Sequence, residues 1–344
     1  MDANEKREFT PDEYLEALLS LPGMARPETS RDGKWAAWTW ARMGPAYDVF
    51  AAPTDRSQPP IRLSETPENT FLVSWLPDSA GVIVAEDKGG NERYQLFRIL
   101  LEDPLTMFPL TEPDPDFFIR GGDLHPNGRW LVYGANYDFE TGKEIEPTWI
   151  YRHDLDTDKQ EVLARPEKGG YIVPQLSTDG RWILYNRKDL HPAGRQIWIV
   201  DIEGERDREI LNFGEDVKVF ASWIPNKTRV LFLVETPTHR KLGIYQIKEN
   251  ELKWLVDDPE RNIEQAFVPY NSKHIVILEV REARTHASLL DPSTGKEIQL
   301  TLDEGNLIPL GPLAGYIWVG QFYSSSQPSD ICRFSIQEPA YDRE

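Results

Sequence analysis

Residues able to do chemistry are present in this chain, but they are not arranged to do it. A nucleophile elbow needs glycine on both sides of a serine, G-x-S-x-G, because the strained strand-to-helix turn leaves no room for side chains. No such segment occurs. Ser324, Ser325 and Ser326 precede Gln327 and Pro328 and read as a hairpin loop. Six histidines, His125, His153, His191, His239, His274 and His286, fall one to a segment, and no pair has ligand spacing on a helix, so they read as turn and surface residues. Asp154, Asp156 and Asp158 imitate the start of a calcium loop, but Lys159 stands where its glycine belongs and no glutamate closes it. A solvated hairpin between a third and a fourth strand is the better reading. Glu112, Asp114 and Asp116 alternate with prolines and read as an acidic loop, with a rim facing a cationic ligand as the other reading. Gly89 and Gly90 are turn glycines, since no helix follows them to carry a phosphate. The sequence therefore offers no catalytic residue and no metal site, and calls for no cofactor.

Composition narrows the class further. The chain of 344 residues is 40% apolar and 11% aromatic, enough to fill a large core, and its 23 Gly and 27 Pro imply many turns. A net charge of −19 with no visible basic patch repels phosphate backbones, so nucleic acid is not an expected partner. The single cysteine, Cys332, cannot form an internal disulfide and reads as a buried thiol. The N-terminus lacks the apolar core of a signal peptide and no 18 uncharged apolar residues run together, so a cytoplasmic chain with no membrane partner is expected.

The elements that would position any site follow from periodicity. Thr10, Pro11 and Glu13 form a capping box opening a helix with Leu15, Leu18 and Leu19 on one face, ending near Gly23. Beyond Ala25 the pattern changes to short runs rich in Trp, Val, Ile and Tyr, each pair joined by a Pro/Asp/Asn/Gly turn. The turn residues Asp32, Asp78, Asn127, Asp179, Asn226 and Asn271 recur at spacings of 46, 49, 52, 47 and 45, and a weaker seventh unit turns near Gly311 to Gly315. Repeats of this length carrying four strands are propeller blades. The fourth parses as YIVPQLS, RWILYNR, RQIWIVDIE and DREILN, the fifth as VFASWIP, RVLFLVET, KLGIYQIK and ELKWLV. Trp35, Trp130 and Trp182 follow the turn periodically and read as core packing, not a ligand cage. The expected fold is all-β, a seven-bladed propeller of four-stranded antiparallel blades with a short N-terminal helix. Residues 1–25 form the helical extension, 26–338 the propeller and 339–344 a tail or the start of a linker. With no convincing outer strand after Gln337, the ring is expected to lack a strand shared by first and last blades and to be openable.

The segments SRDGKWAAW, HPNGRWLVYGAN, STDGRWILYNR, EDKGGNERYQLFRI and RQIWIVDIEGE resemble the N-terminal propeller of the prolyl oligopeptidase family of serine peptidases. The likeness is nearest to acylaminoacyl-peptidase and dipeptidyl-aminopeptidase-like members and extends from about residue 10 to 338. The D-G-[KR]-W turn is common to many propellers; GGNERYQLFRI is more specific. The resemblance implies an α/β-hydrolase domain, carrying a Ser, Asp and His triad, whose active site the propeller covers while screening peptide substrates by size. No family catalytic residue maps onto this chain. The implied function is that of a non-catalytic gating propeller whose partners are a hydrolase domain in cis and passing peptides. The alternatives are a stand-alone TolB-like interaction scaffold, or an enzyme with acids and metal ligands converging on the channel.

Overall fold

The computed structural model describes residues 10–19, 21–41, 46–113, 115–168, 170–300, 302, 304–337 and 341–342, with backbone only at 18–19 and 341–342. Seven four-stranded antiparallel sheets follow one another, each built from four consecutive strands. The seven inner strands are Gly23–Thr29, Thr70–Trp75, Ile119–Leu124, Gln175–Leu176, Val219–Trp223, Ile263–Phe267 and Asn306–Ala314. Second and third strands are buried on both faces, as Arg229–Glu235 shows, whereas outer strands such as Asp103–Pro109 lie exposed. The helix Pro11–Leu19 precedes the first blade, and its expected capping box is present: Thr10 N donates to Glu13 Oε2 at 3.0 Å and Glu13 N to Thr10 Oγ1 at 3.2 Å.

The repeated turn has a hydrogen-bonded logic. In the first blade Ser30 Oγ donates to Asp32 Oδ1 at 2.6 Å and accepts from Trp35 N at 3.0 Å. Asp32 Oδ1 also accepts from Lys34 N at 3.0 Å, while Gly33 takes a φ of 75° that a side chain would strain. Ser177, Asp179, Gly180 and Trp182 repeat the arrangement in blade 4. In blade 3 a histidine replaces the serine, and His125 Nδ1 accepts from Asn127 N at 3.0 Å. These turns also stitch neighbouring blades together, as Asp32 N donates to Ser79 Oγ and Asn226 N to Thr178 Oγ1, each at 3.2 Å.

Packing between blades supplies the core. Six buried apolar clusters join blades 1 and 2, 2 and 3, 3 and 4, 4 and 5, 5 and 6, and 6 and 7. Between blades 7 and 1 no such cluster occurs among the described residues. A cleft of about 800 Å³ lies there instead, walled by Trp38, Trp40, Pro59, Pro60, Phe322 and Ile331. Its cause is local: the outer strands on either side, Ile61–Arg62 and Tyr341–Asp342, are two residues long and leave the rim of the interface unfilled. Blades 7 and 1 meet nearer the axis, where Thr29 Oγ1 donates to Leu310 O at 3.4 Å, and the blade 6 turn reaches across to blade 1, Asn271 Nδ2 donating to Arg31 O at 2.7 Å.

Several expectations are corrected. An outer strand does exist in the seventh blade, pairing Tyr341 with Phe334 and Asp342 with Arg333, within the stretch read as tail. The first strand begins at Gly23, inside the expected helical extension. The seventh-blade turn falls at Gly315 and Tyr316, because Gly311 lies within the inner strand Asn306–Ala314. The inner strand of blade 4 is only Gln175–Leu176, since Pro174 has no N–H to offer a ladder. Leu18 and Leu19 side chains lie outside the described residues. The expectation that no strand is shared between first and last blades is met.

Because the seam lacks the apolar cluster that joins every other pair, native-state hydrogen exchange is expected to show blades 1 and 7 opening before blades 3 to 5. Equal protection around the ring would contradict a weak seam.

Candidate functional site

An even number of strands returns the chain to the face on which a blade began. Inner-strand starts, the loops joining second to third strands and both ends of the propeller chain therefore share one face, the entry face. The Ser-Asp-Gly turns share the other, the far face. Between them runs the channel edged by the seven inner strands, and its two mouths differ chemically.

At the entry face an aromatic and arginine collar passes around the mouth. Tyr47 lies tilted against Phe71 with ring centres 5.4 Å apart, and Phe71 meets Tyr94 edge-on at 5.7 Å. The Arg120 guanidinium carbon then lies 5.3 Å from the Tyr94 ring centre, 4.5 Å from Phe118 and 5.1 Å from Tyr171. Further round, Arg195 and Arg240 flank Phe220 at 4.8 and 5.7 Å. Each contact of this kind contributes about 0.5–2 kcal/mol, more as water is excluded. Arg240 is neutralised by Glu264 at 2.8 Å and Glu235 at 3.4 Å. Burial pulls the pKa of both Arg120 and Arg195 down, which marks them as charges removed from water. Apolar side chains also crowd this face: Tyr171 is 67% exposed, with Leu21, Leu190 and Phe213 open as well.

At the far end two carboxyls meet one guanidinium. Glu28, at the close of the first inner strand, faces Asp123 of the third, with Arg31 and Tyr270 beside them. Burial first, then the charge of Asp123, push the Glu28 carboxyl up to about 7 against the opposing pull of Arg31. Burial raises Asp123 too, opposed by a hydrogen bond from Leu176 N at 2.8 Å and by Arg31. The Arg31 guanidinium stands 5.6 Å over the Tyr270 ring, whose pKa is raised by burial. Trp75 Nε1 donates to Glu28 O at 3.3 Å and Trp223 Nε1 to Gln175 O at 2.9 Å, tying indoles of the interblade clusters to the inner strands.

Most residues weighed from sequence lie away from the channel. Ser324 to Ser326 make the expected hairpin loop. Asp154, Asp156 and Asp158 lie in the third-to-fourth strand hairpin, where the Arg129 guanidinium holds the Asp154 carboxyl down at about 2. Glu112 and Asp116 are in a loop, Asp116 pairing with Arg93 at 2.8 Å, and Asp114 is outside the described residues. Gly89 and Gly90 turn at φ of 61° and 71°. Trp35, Trp130 and Trp182 are half-buried between strands, Trp130 lying under the Arg152 guanidinium at 4.5 Å. Cys332 is a buried thiol. One histidine departs from expectation: His153 is buried inside a strand, because its Nε2 finds Asp158 at 2.8 Å. Among the described residues no three metal-ligating side chains converge.

Sequence reasoning missed Arg120, Asp123, Glu28 and Arg195. One signal was available, the pair Gly121-Gly122 in IRGGDL. Residues three apart on a regular strand point to opposite faces. Here the glycines, at φ of 73° and 150°, bulge so that both oppose Tyr133 alone, leaving Arg120 opposite Gly134 and Asp123 opposite Val132. Arg120 and Asp123 thereby share one face, toward blade 4. A Cβ on Gly122 would stand 2.8 Å from Leu96 Cδ1, so the bulge requires glycine there.

No protein-family profile matches the chain, and no curated protein does. Solved structures do. A prolyl endopeptidase superposes over 94% of this chain with a TM-score of 0.71 at 14% identity. A puromycin-hydrolysing peptidase of Mycobacterium tuberculosis covers 93% with a TM-score of 0.69 at 14% identity. The fold is that of the prolyl oligopeptidase propeller. The chain spans 50% and 52% of those two structures, about half their length. It spans 95% of the propeller domain of the Trilobed protease from Pyrococcus furiosus, a domain with an open velcro topology, at a TM-score of 0.64 and 15% identity.

A carboxyl held near 7 when folded, against 4.5 when not, binds its proton more tightly in the native state. Its contribution to stability is full below about pH 4.5 and is lost as pH rises through 7. Urea midpoints measured between pH 4.5 and 8 are expected to fall more steeply for wild type than for Glu28→Gln, the variant gaining most above pH 7. A wild-type to variant difference independent of pH would refute this account.

Proposed function

We propose that this chain is the substrate-filtering propeller of a two-domain serine peptidase. Its entry face seats on an α/β-hydrolase domain, and the ring admits extended peptides to that domain while excluding folded proteins. The observation carrying this reading is the entry face itself. Both ends of the propeller chain reach it, and Leu21, Tyr171, Leu190 and Phe213 present apolar surface there that one further domain would cover. The propeller fold common to structures twice as long supports it. Gating follows from size, since a channel edged by single strands passes an extended chain but not a globule. The chain contributes no nucleophile of its own; hydrolysis belongs to the partner domain.

Two measurements test the proposal. In source cells, an antibody raised against this propeller is expected to detect a protein of about twice its mass that takes a fluorophosphonate serine label. The isolated propeller is expected to leave acyl-peptide and aminoacyl chromogenic substrates intact. An unlabelled protein of the propeller's own mass, or turnover by the isolated chain that survives repurification, would overturn it.

A further inference from the structure

The two mouths of the channel carry different charged groups, and two arginines at the entry face have unspent donors. On one side of Tyr171 lies Arg120, which donates to Ile119 O at 3.1 Å and otherwise stacks on rings. On the other, Arg195 shares with Tyr171, Asn186 and Phe220 a groove of about 280 Å³ between blades 4 and 5. Arg195 Nε is buried there without a hydrogen-bond partner. The acids nearest in charge are Glu92 for Arg120 and Glu235 for Arg195, and Glu235 already serves Lys218 at 3.3 Å and Arg240 at 3.4 Å. Neither guanidinium forms an ion pair with a described residue, in a chain whose other charges sum to a large negative total.

Guanidinium groups are always charged and present a planar fork that fits a carboxylate. Their placement between flat aromatic walls suits the end of a peptide more than a phosphate cluster, because the rings give the adjoining side chain an apolar seat. Arg120 and Asp123 pair with Gly134 and Val132, two residues apart and so roughly 7 Å along the sheet, on one face of the bulged inner strand. A chain of two or three residues lying beside that strand would therefore meet the arginines at one end and Asp123 with Glu28 at the other.

We propose that the channel takes short peptides in one polarity, with the free carboxyl terminus at the entry face between Arg120 and Arg195 and the amino end toward Glu28 and Asp123. At the far end two carboxyls outnumber the single guanidinium of Arg31, so a carboxylate is less favoured there than between Arg120 and Arg195. This rests on the filtering role above and adds its substrate class: peptides with a free carboxyl end, presented carboxyl-first to whatever the entry face meets.

The test uses this chain and two probes, N-acetyl-Ala-Ala-Phe-Ala with a free carboxyl end and the same peptide as its C-terminal amide, with binding followed by calorimetry or ligand NMR. The acid is expected to bind about tenfold more tightly than the amide at low salt, the preference shrinking as salt rises. Arg195→Gln keeps the backbone bonds of residue 195 to Val217 and Val219 and gives up the stacking on Phe220, and is expected to reduce the preference to below about threefold. Arg120→Lys keeps the charge but loses the fork and is expected to fall between, with an unchanged near-ultraviolet spectrum showing that the aromatic collar survives. Glu28→Gln is expected to leave the preference intact. Equal affinity for acid and amide, no binding of either, or a preference that survives Arg195→Gln combined with Arg120→Lys would overturn the proposal. The two readings fail separately. Carboxylate-selective binding by a chain whose native form takes no serine label would remove the peptidase reading and keep the oriented channel; a labelled two-domain protein with no selectivity would do the reverse.

Discussion

A four-stranded blade with both faces apolar cannot stand in water alone, and that single constraint organises the molecule. Each blade buries its faces against two neighbours, which is why second and third strands such as Arg229–Glu235 read as nearly unbroken apolar runs. The six interblade clusters hold eight to eleven buried residues apiece. At about 2 kcal/mol for each buried side chain, one such interface gains on the order of 20 kcal/mol before entropy is charged against it. A single turn-to-turn hydrogen bond, such as Asn271 to Arg31, contributes about 1 kcal/mol. Packing between blades therefore decides the fold, and the hydrogen-bonded turns set register and spacing within it.

The same reasoning singles out the seam. Where every strand of blade 1 comes from the start of the propeller and every strand of blade 7 from its end, no ladder crosses the junction. The junction must close by packing, yet the two outer strands beside it are the shortest in their sheets and leave a cleft rather than a cluster. Nearer the axis Thr29 of blade 1 meets Leu310 of blade 7, and Asn271 of blade 6 reaches across to Arg31. The ring is thus strongest away from its chain ends and weakest between them.

Much of this was legible in the residues. The Asp- and Asn-centred turns, their 45 to 52 residue spacing and the succession of apolar runs made blade number and strand order legible, because each is a short-range pattern with a local physical cause. Boundaries were less legible. The outer strand at Tyr341 and Asp342 has no apolar run to announce it, being held by backbone pairing to Arg333 and Phe334. His153 read as a surface residue because burial depends on which face of its strand meets a neighbouring sheet.

The sequence alone determined that this is a closed array of seven stacked sheets with no nucleophile elbow of its own, since repeats and motifs are written in consecutive residues. The channel chemistry is not. Glu28, Arg120, Asp123 and Arg195 are drawn from blades 1, 3 and 4, and nothing in their separate neighbourhoods marks them as partners. Only closing the ring brings Glu28 into the field of Asp123 and places Arg120 and Arg195 on either side of Tyr171. Side chains far apart in the chain acquire a joint electrostatic character only when the tertiary fold removes the water between them.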